Sequence, residues 1–313
     1  MTGKTQIAGG TRPVTGKGAP RSDPTVDRHR AQYRLGLVQV MGSAVAWSMA
    51  GFFTRLIHLD TWTMLVWRGL FGALGIAAVA LTIEGRDACR DFLRLGRAGC
   101  LYAVLSAGGM VLFIASLRHT TVAHVAVIYA TVPFFAAALG WIVLRDIPSR
   151  SAVVASIAAL IGVIVMVGLG HDGGLSGDML ALGMTAGMAG MMVLARRFGD
   201  MPALAAAALS ALLSGLVCWP FAQPLALNGA DLFLLALFGL VNSATGLALF
   251  TLGARLLPPV ETALIGALDA PLAPLWVWLA FAEVPSSGTI LGGLIVFCAV
   301  AAHLGLAARR TSR

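Results

Sequence analysis

The sequence predicts an all-α, polytopic membrane protein with ten transmembrane helices, arranged as two inverted five-helix repeats. Three observations support this prediction. The first is composition: 58% of the 313 residues are hydrophobic and 12% are charged, which leaves too little polar surface to cover a water-soluble globule. The second is a series of apolar runs of about 20 residues, the length that crosses a bilayer. The third is an internal duplication.

The apolar runs place ten spans along the chain, with mostly short connections. They lie near 35–53, 62–83, 99–117, 122–144, 150–168, 177–194, 202–222, 230–254, 260–282 and 286–307. The first repeat is therefore expected at 35–168 and the second at 177–307. Residues 1–34 are rich in Gly, Pro, Thr and Arg and poor in apolar residues, which predicts a disordered cytoplasmic tail. Residues 308–313 form a short second tail.

The duplication becomes visible when the chain is shifted by 137 positions, so that residues 104–149 align with 241–286. Fourteen of the forty-six positions are then identical. Helices of biased composition share Ala and Leu by chance, but shared Arg, Trp and Pro in one register indicate a true repeat. These matches are Arg118 with Arg255, Trp141 with Trp278, and Pro148 with Pro285.

The basic residues predict the orientation. Nineteen of the twenty-two Lys and Arg residues fall on one side of the predicted spans, and positive charge marks the cytoplasmic side. Both termini are therefore expected in the cytoplasm, in a bacterial-type inner membrane. Since each half has an odd number of spans, the two halves must cross the membrane in opposite senses, an arrangement typical of secondary transporters.

The same composition argues against other classes of function. The net charge of +8 comes from the tail and the connections, so the expected partners are the lipid bilayer and a small-molecule substrate, with no nucleic acid. The chain has no GxxxxGK[ST], HExxH or GxSxG motif and no cluster of carboxylates. Its four cysteines are scattered. We therefore expect neither an enzyme nor a bound cofactor or metal.

Two charged residues inside the spans are the first candidates for a substrate site, because a charge in the bilayer needs a partner or water. Asp269 lies roughly 14 Å into span 9 and could bind a cationic group or exchange a proton; the alternative is a structural carboxyl bonded to nearby hydroxyls or other donors beside the proline-broken helix. Arg68 lies roughly 9 Å from the outer end of span 2 and could hold a carboxylate, or extend to the headgroups. Because their depths differ by about 10 Å, a direct pair does not follow.

Further candidates lie at helix starts and prolines. His124 and Glu261 occupy the same repeat position, one on each face of the membrane, and are candidate gate residues; the alternative is an ordinary polar first turn. Pro133, Pro271 and Pro274 interrupt their helices and free backbone carbonyls that can line a cavity.

Aromatic and amide side chains complete the predicted site. They are Trp47, Tyr129, Asn242 and Trp276. Spans 1, 3, 4, 6, 8 and 9 are expected to surround the cavity, and spans 5 and 10 to pack outside it. Glycines at four-residue spacing, as in Gly183/Gly187 and Gly288/Gly292, permit close helix approach, either within the bundle or across a homodimer.

Residues 35–307 resemble the EamA-type members of the drug/metabolite transporter superfamily. The resemblance rests on an opening helix from Gly42 to Leu56, on Arg68 early in span 2, and on two similar repeat endings. These endings are Pro133, Trp141, Arg145 and Asp146 in the first half and Asp269, Pro271, Trp278, Ala282 and Glu283 in the second. Arg145-Asp146 and Ala282-Glu283 stand where the family usually has Gly-Glu.

The resemblance implies ten helices and secondary transport, often export, of amino acids, metabolites or organic cations through a cavity between the repeats. The main alternative is a membrane assembly or sensor subunit that transports nothing. A lipid translocase or intramembrane enzyme is a third reading, but it would require a lateral opening or clustered ionisable residues.

Overall fold

The structure, a computed structural model, describes residues 24–168, 174–225 and 227–311. A 3₁₀ turn at Trp219–Phe221 and a π-helical segment at Gly239–Leu247 supplement its α-helices. The α-helices are α1 (Pro24–Ser48), α2 (Ala50–Leu56), α3 (Thr61–Glu84), α4 (Asp87–Leu93), α5 (Gly96–His119), α6 (Val122–Tyr129), α7 (Val132–Leu144), α8 (Arg150–Val167), α9 (Leu175–Arg197), α10 (Ala203–Cys218), α11 (Gly229–Phe238), α12 (Ala248–Ala254), α13 (Pro259–Gly266), α14 (Asp269–Phe281) and α15 (Ser287–Thr311).

These helices form ten candidate membrane spans within the described residues, which confirms the predicted number. Each boundary lies within about five residues of its predicted position. The spans are Arg30–Leu56, Thr61–Glu84, Gly96–His119, His124–Leu144, Arg150–Val167, Leu175–Arg197, Ala203–Phe221, Gly229–Ala254, Pro259–Phe281 and Ser287–Ala307. An even number of spans puts both ends of the chain on one side of the bundle. We call this the terminal side, and the opposite side the far side.

The two ends of the chain differ from their prediction as tails. Helix α1 begins at Pro24, so residues 24–34 of the predicted tail are helical, while residues 1–23 lie outside the described residues. Proline is well tolerated in the first turn of a helix, and no Gly or Pro interrupts residues 25–34. Helix α15 likewise continues to Thr311, and residues 312–313 lie outside the described residues.

Spans 4 and 9 are each broken into two helices at equivalent positions. In span 4, α6 ends at Tyr129 and α7 begins at Val132. In span 9, α13 ends at Gly266 and α14 begins at Asp269. Every one of these boundaries is separated from its counterpart by the 137 positions of the sequence repeat. The two helices therefore have the same architecture, although their prolines differ.

The backbone at the end of each broken span also repeats. Arg145 and Ala282, again 137 positions apart, both have a φ of 56° and are the only residues other than glycine with positive φ in the described parts of the chain. This left-handed conformation ends a helix and favours glycine. Glycine would therefore suit both positions better than Arg or Ala.

Close glycine contacts hold the bundle together. A Cβ atom added to Gly292 of span 10 would lie 2.3 Å from the carbonyl oxygen of Gly162 of span 5, and one at Gly69 of span 2 would lie 2.8 Å from the Cα of Gly215 of span 7. Spans 5 and 10, and spans 2 and 7, therefore touch backbone to backbone. Gly183 faces Leu112 of span 3, so the glycine spacing serves packing within this chain, and a homodimer remains a proposal.

Candidate functional site

A central cavity of about 520 Å³ lies between the two repeats. Among the described residues, spans 5 and 10 contribute nothing to its lining, as expected, but spans 2 and 7 contribute as well as the six spans predicted. The close contact of Gly69 on span 2 with Gly215 on span 7 packs these two spans together beside the cavity. The polar lining residues are Arg68, Ser106, Tyr129, Ser210, Ser214, Asn242, Ser243 and Asp269.

Arg68 points into the bundle rather than out to the headgroups. Its Nη1 donates to Oδ1 of Asn242 at 3.1 Å, its Nη2 lies 3.8 Å from the sulfur of Met110, and its guanidinium lies 5.8 Å from the ring centre of Phe238. Its Nε is buried and has no hydrogen-bond partner in the described structure. The guanidinium of Arg68 lines the cavity, and its positive charge suits an anionic group of a bound solute.

Asn242 connects Arg68 to a break in span 1. It lies in the π-helical segment of span 8, and its Nδ2 donates to the carbonyl oxygens of Ala46 and Trp47, at 3.2 and 3.3 Å. These carbonyls stand just before the interruption between α1 and α2 at Met49. A π-helical turn rotates the residues that follow it, and such turns are frequent at functional sites.

Asp269 is the first residue of α14 and lines two cavities. One is the central cavity; the other, of about 70 Å³, lies between the breaks of spans 4 and 9, beside Tyr129 and Pro133. Within the described residues its carboxylate has no ion pair and no side-chain hydroxyl partner, and it is bonded by the backbone N–H of Ala270. Arg68 and Asp269 share the central cavity without pairing.

The predicted aromatic and proline residues fall into two groups. Trp47 lines the central cavity and lies 4.9 Å from Phe250, ring centre to ring centre. Trp276 lies outside the cavity lining and donates instead to Oγ of Ser48, at 2.8 Å, beside the span 1 break. Pro271 is buried at the start of α14, and Pro274 lies within that helix. Trp276, Pro271 and Pro274 therefore affect the shape of the helices around the central cavity and are not part of its lining.

The sequence did not single out several lining residues. Four methionines contribute to the wall, and the hydroxyl of Ser210 is buried with no hydrogen-bond partner in the described structure. Methionine side chains are flexible and polarisable, and they adapt to solutes of different shape. Three of the four lie on span 6, and that concentration was the available signal. The methionines are Met110, Met184, Met188 and Met191.

A far-side cavity of about 640 Å³ extends from the central cavity towards the far side. The central and far-side cavities share Arg68 and Met110 among their lining residues. The mouth of the far-side cavity carries Asp60 and Arg118, and the guanidinium of Arg118 lies 4.7 Å from the ring centre of Trp62. No lining residue of either cavity comes from the terminal-side ends of the described spans, so the site faces the far side.

The two predicted gate residues each contact the first span of the other repeat. On the far side, Nδ1 of His124 lies 3.1 and 3.2 Å from the carboxylate oxygens of Asp178 on span 6. On the terminal side, Oε2 of Glu261 accepts a 2.7 Å hydrogen bond from Tyr33 on span 1. Periodicity does not reveal these partners, because it does not report which spans are neighbours.

The comparisons with known proteins agree with this architecture. No curated protein matches the sequence. Among solved structures, 29 chains match, including one described only as "Crystal structure of protein", with a TM-score of 0.73 and 14% identity, over 89% of this chain and 99% of the other; this likeness concerns the fold alone. The family model described as "EamA-like transporter family" matches residues 34–168 and 175–304. The chain is a multi-pass membrane protein that belongs to the EamA-like transporter family.

Proposed function

We propose that this chain is a secondary transporter that moves a small amphipathic solute by alternating access, as an exporter or exchanger, in a bacterial-type inner membrane with both termini in the cytoplasm. One observation carries the proposal: a single cavity between the repeats contains Arg68 from the first repeat and Asp269 from the second. Rocking of two similar halves about a central site is the mechanism that inverted repeats serve.

The cavity's size and chemistry support a substrate with two opposite charges. Its volume of about 520 Å³ is in the range of small-molecule sites, and most of its lining is apolar. Arg68 offers a donor to an acidic group and Asp269 a carboxylate to a basic group, while the methionines and Trp47 suit an apolar body. An amino acid or similar metabolite fits better than an organic cation, because a simple cation would lie beside Arg68.

Asp269 could also couple transport to protons. A carboxylate without an ion-pair partner is unfavourable in a membrane interior, so it should take up either a proton or the cationic group of the substrate. Binding one would then exclude the other, and a proton gradient could drive substrate movement. This competition is the mechanism we assign to Asp269.

Two contacts are suited to act as gates. The far-side contact of His124 with Asp178 and the terminal-side contact of Glu261 with Tyr33 both join a broken span to the first span of the other repeat. Opening one side requires its contact to separate. Both contacts are formed in the conformation described above, and the cavities extend towards the far side, so we expect His124 and Asp178 to separate when that side opens.

Transport in liposomes tests the proposal. Purified protein would be reconstituted, and uptake of a labelled panel of amino acids, other metabolites and organic cations would be measured with and without a pH gradient. We expect gradient-dependent flux of at least one zwitterionic solute, and its loss in Asp269→Asn. Asp87→Asn, at an exposed position, is the matched control.

The outcomes separate the alternatives. Full gradient-driven flux in Asp269→Asn would remove the proton role but leave transport intact. No flux of any solute, together with no thermal stabilisation by any of them, would favour the non-transporting assembly or sensor subunit. Reporter domains fused after Arg313 would test the orientation independently.

A further inference from the structure

Three titratable side chains meet near the terminal side, outside the central cavity. Tyr33 of span 1 donates to Oε2 of Glu261 at 2.7 Å, and Oε1 of Glu261 lies 3.6 Å from Nε2 of His303 on span 10. The side chain of His303 is 1% exposed and that of Glu261 is 15% exposed. The cluster thus joins three spans that belong to both repeats.

The buried imidazole of His303 has unsatisfied hydrogen-bonding groups. Neither of its ring nitrogens has a hydrogen-bond partner in the described structure, although leaving buried polar groups unpaired is costly. If His303 and Tyr33 are neutral and Glu261 is ionised, the cluster carries one uncompensated negative charge. A single proton, either on the unprotonated ring nitrogen of His303 or on the Glu261 carboxylate, would make the cluster neutral.

Other charged groups near the cluster do not neutralise it. Arg30 and Arg34 flank Tyr33 on span 1, but neither forms an ion pair with Glu261 among the described residues. Asp146, after span 4, lines the same terminal-side cavity of about 130 Å³ as Glu261, and its charge is also negative. That cavity gives protons from the terminal side a route to Glu261.

We propose that Tyr33, Glu261 and His303 form a proton-binding site, separate from Asp269, whose occupancy controls the opening of the terminal side. In the closed form the cluster is buried, so its uncompensated charge is unfavourable unless a proton is bound. Opening separates span 1 from spans 9 and 10 and hydrates the carboxylate. By linkage, protons bind more tightly to the closed form, so low pH closes the terminal side and higher pH opens it.

The experiment measures access to a buried thiol and requires no substrate. Ala263 is 4% exposed and lies on α13 beside the cavity of about 70 Å³ between the breaks of spans 4 and 9. It would be changed to Cys after the four native cysteines are replaced by Ser. A membrane-impermeant maleimide would be added to the terminal side in proteoliposomes. A variant that retains only the exposed Cys89 corrects for the pH dependence of the thiol reaction itself.

We expect the corrected labelling rate to rise by about 5-fold or more from pH 5 to pH 8, within the usual range of coupling between sites. His303→Gln and Glu261→Gln, two independent variants, should each abolish this rise. Tyr33→Phe should retain the pH dependence and label faster at every pH, because it loses only the neutral hydrogen bond. His58→Gln, at an exposed far-side position, should behave like the parent protein.

Two results would overturn the proposal. One is a parent protein whose corrected rate does not change with pH. The other is a pH dependence that survives in both His303→Gln and Glu261→Gln; its loss in Asp269→Asn would then assign the proton to the central cavity instead. Neither result depends on whether the protein transports any solute of the panel, so failure of the proposed function is recognised separately.

Discussion

The guanidinium of Arg68 donates a 3.1 Å hydrogen bond to Asn242, and the amide of Asn242 donates to the backbone of span 1 just before its break. The side chain of Asn242 therefore contacts both the cation of the cavity and the interrupted helix of span 1. A solute that binds Arg68 would compete with Asn242, the residue whose amide also supports span 1.

Replacing Asn242 by Asp tests the role of Arg68 as an anion-binding group. The added carboxylate would be isosteric and would neutralise the guanidinium beside it, so an acidic substrate group would lose its partner. It would also remove the Nδ2 donor to the carbonyls of Ala46 and Trp47, which weakens binding in the same direction. We expect binding of the transported solute to weaken by about 10-fold or more, measured as the concentration that gives half-maximal uptake or thermal stabilisation. Asn228→Asp is the control, because Asp caps α11 as well as Asn does. Unchanged binding in Asn242→Asp would contradict the role.

Gly72 of span 2 tests the close packing of spans 2 and 8. A Cβ atom there would lie 2.3 Å from the Cβ of Ser243, so Gly72→Ala should destabilise the bundle by about 1–3 kcal/mol. The unfolding midpoint in detergent, at a fixed heating rate, measures this. Gly108→Ala, which has no atom within 4 Å of the added carbon, should be neutral or slightly stabilising. Adding Ser243→Gly to Gly72→Ala should restore most of the loss; no rescue would mean that the contact is not the cause.

Ala282 should be improved by glycine. Its φ of 56° is strained for a residue with a Cβ atom, so Ala282→Gly should stabilise the protein by about 0.5–1 kcal/mol. The same change at Ala158, in the middle of α8, should destabilise it by a similar amount, because glycine weakens a helix interior. Comparison of the two unfolding midpoints checks the prediction. A fall in both would show that residue 282 is not left-handed.

Asp60, on the far side, should contribute to the free energy of unfolding in a pH-dependent way. Its carboxylate caps α3 by accepting the N–H of Thr63 at 2.9 Å. Partial burial acts to raise the pKa of Asp60, but hydrogen bonds from Thr63 and Trp62 outweigh it and hold the pKa below its ordinary value. The stabilisation is therefore present above the ordinary Asp pKa and lost as pH falls through the lowered one.

The loss of this stabilisation at low pH predicts how substitutions of Asp60 should behave. Asp60→Ala should lower stability by about 1 kcal/mol at neutral pH, with the difference from the parent shrinking below about pH 4. Asp60→Asn keeps a capping oxygen and should lose most of the pH dependence while retaining most of the stability. Unfolding midpoints at neutral and acidic pH give both comparisons. An equal loss in Asp60→Ala at both values would mean that the charge has no role.

Much of the fold was predictable because span length and repeat register are local properties of the chain. Apolar length identified ten spans, and the 137-residue offset identified helices whose breaks match to the residue. The prolines were a less direct guide: the breaks come before Pro133 and Pro271, since proline favours the first turn of a new helix.

Other parts of the site were not predictable, because they depend on which helices are neighbours. The π-helical segment contains no proline and has ordinary composition, so nothing in residues 239–247 marks it. Tyr33 and His303 are 270 positions apart in sequence, and only the packing of spans 1, 9 and 10 brings them to Glu261. Trp276 was expected in the cavity, but the turn of α14 directs it to Ser48 instead.

The π-helical segment also makes the two halves unequal at one depth. Span 3 passes this level as regular α-helix with Ser106, whereas span 8 passes it with a widened turn that carries Ser243 and Asn242. Exchanging the roles of the two repeats by a two-fold rotation therefore cannot reproduce the starting structure. On the proposed mechanism, the two open forms would differ in free energy even when solute and proton concentrations are equal across the membrane, so the empty protein would have an intrinsic resting orientation.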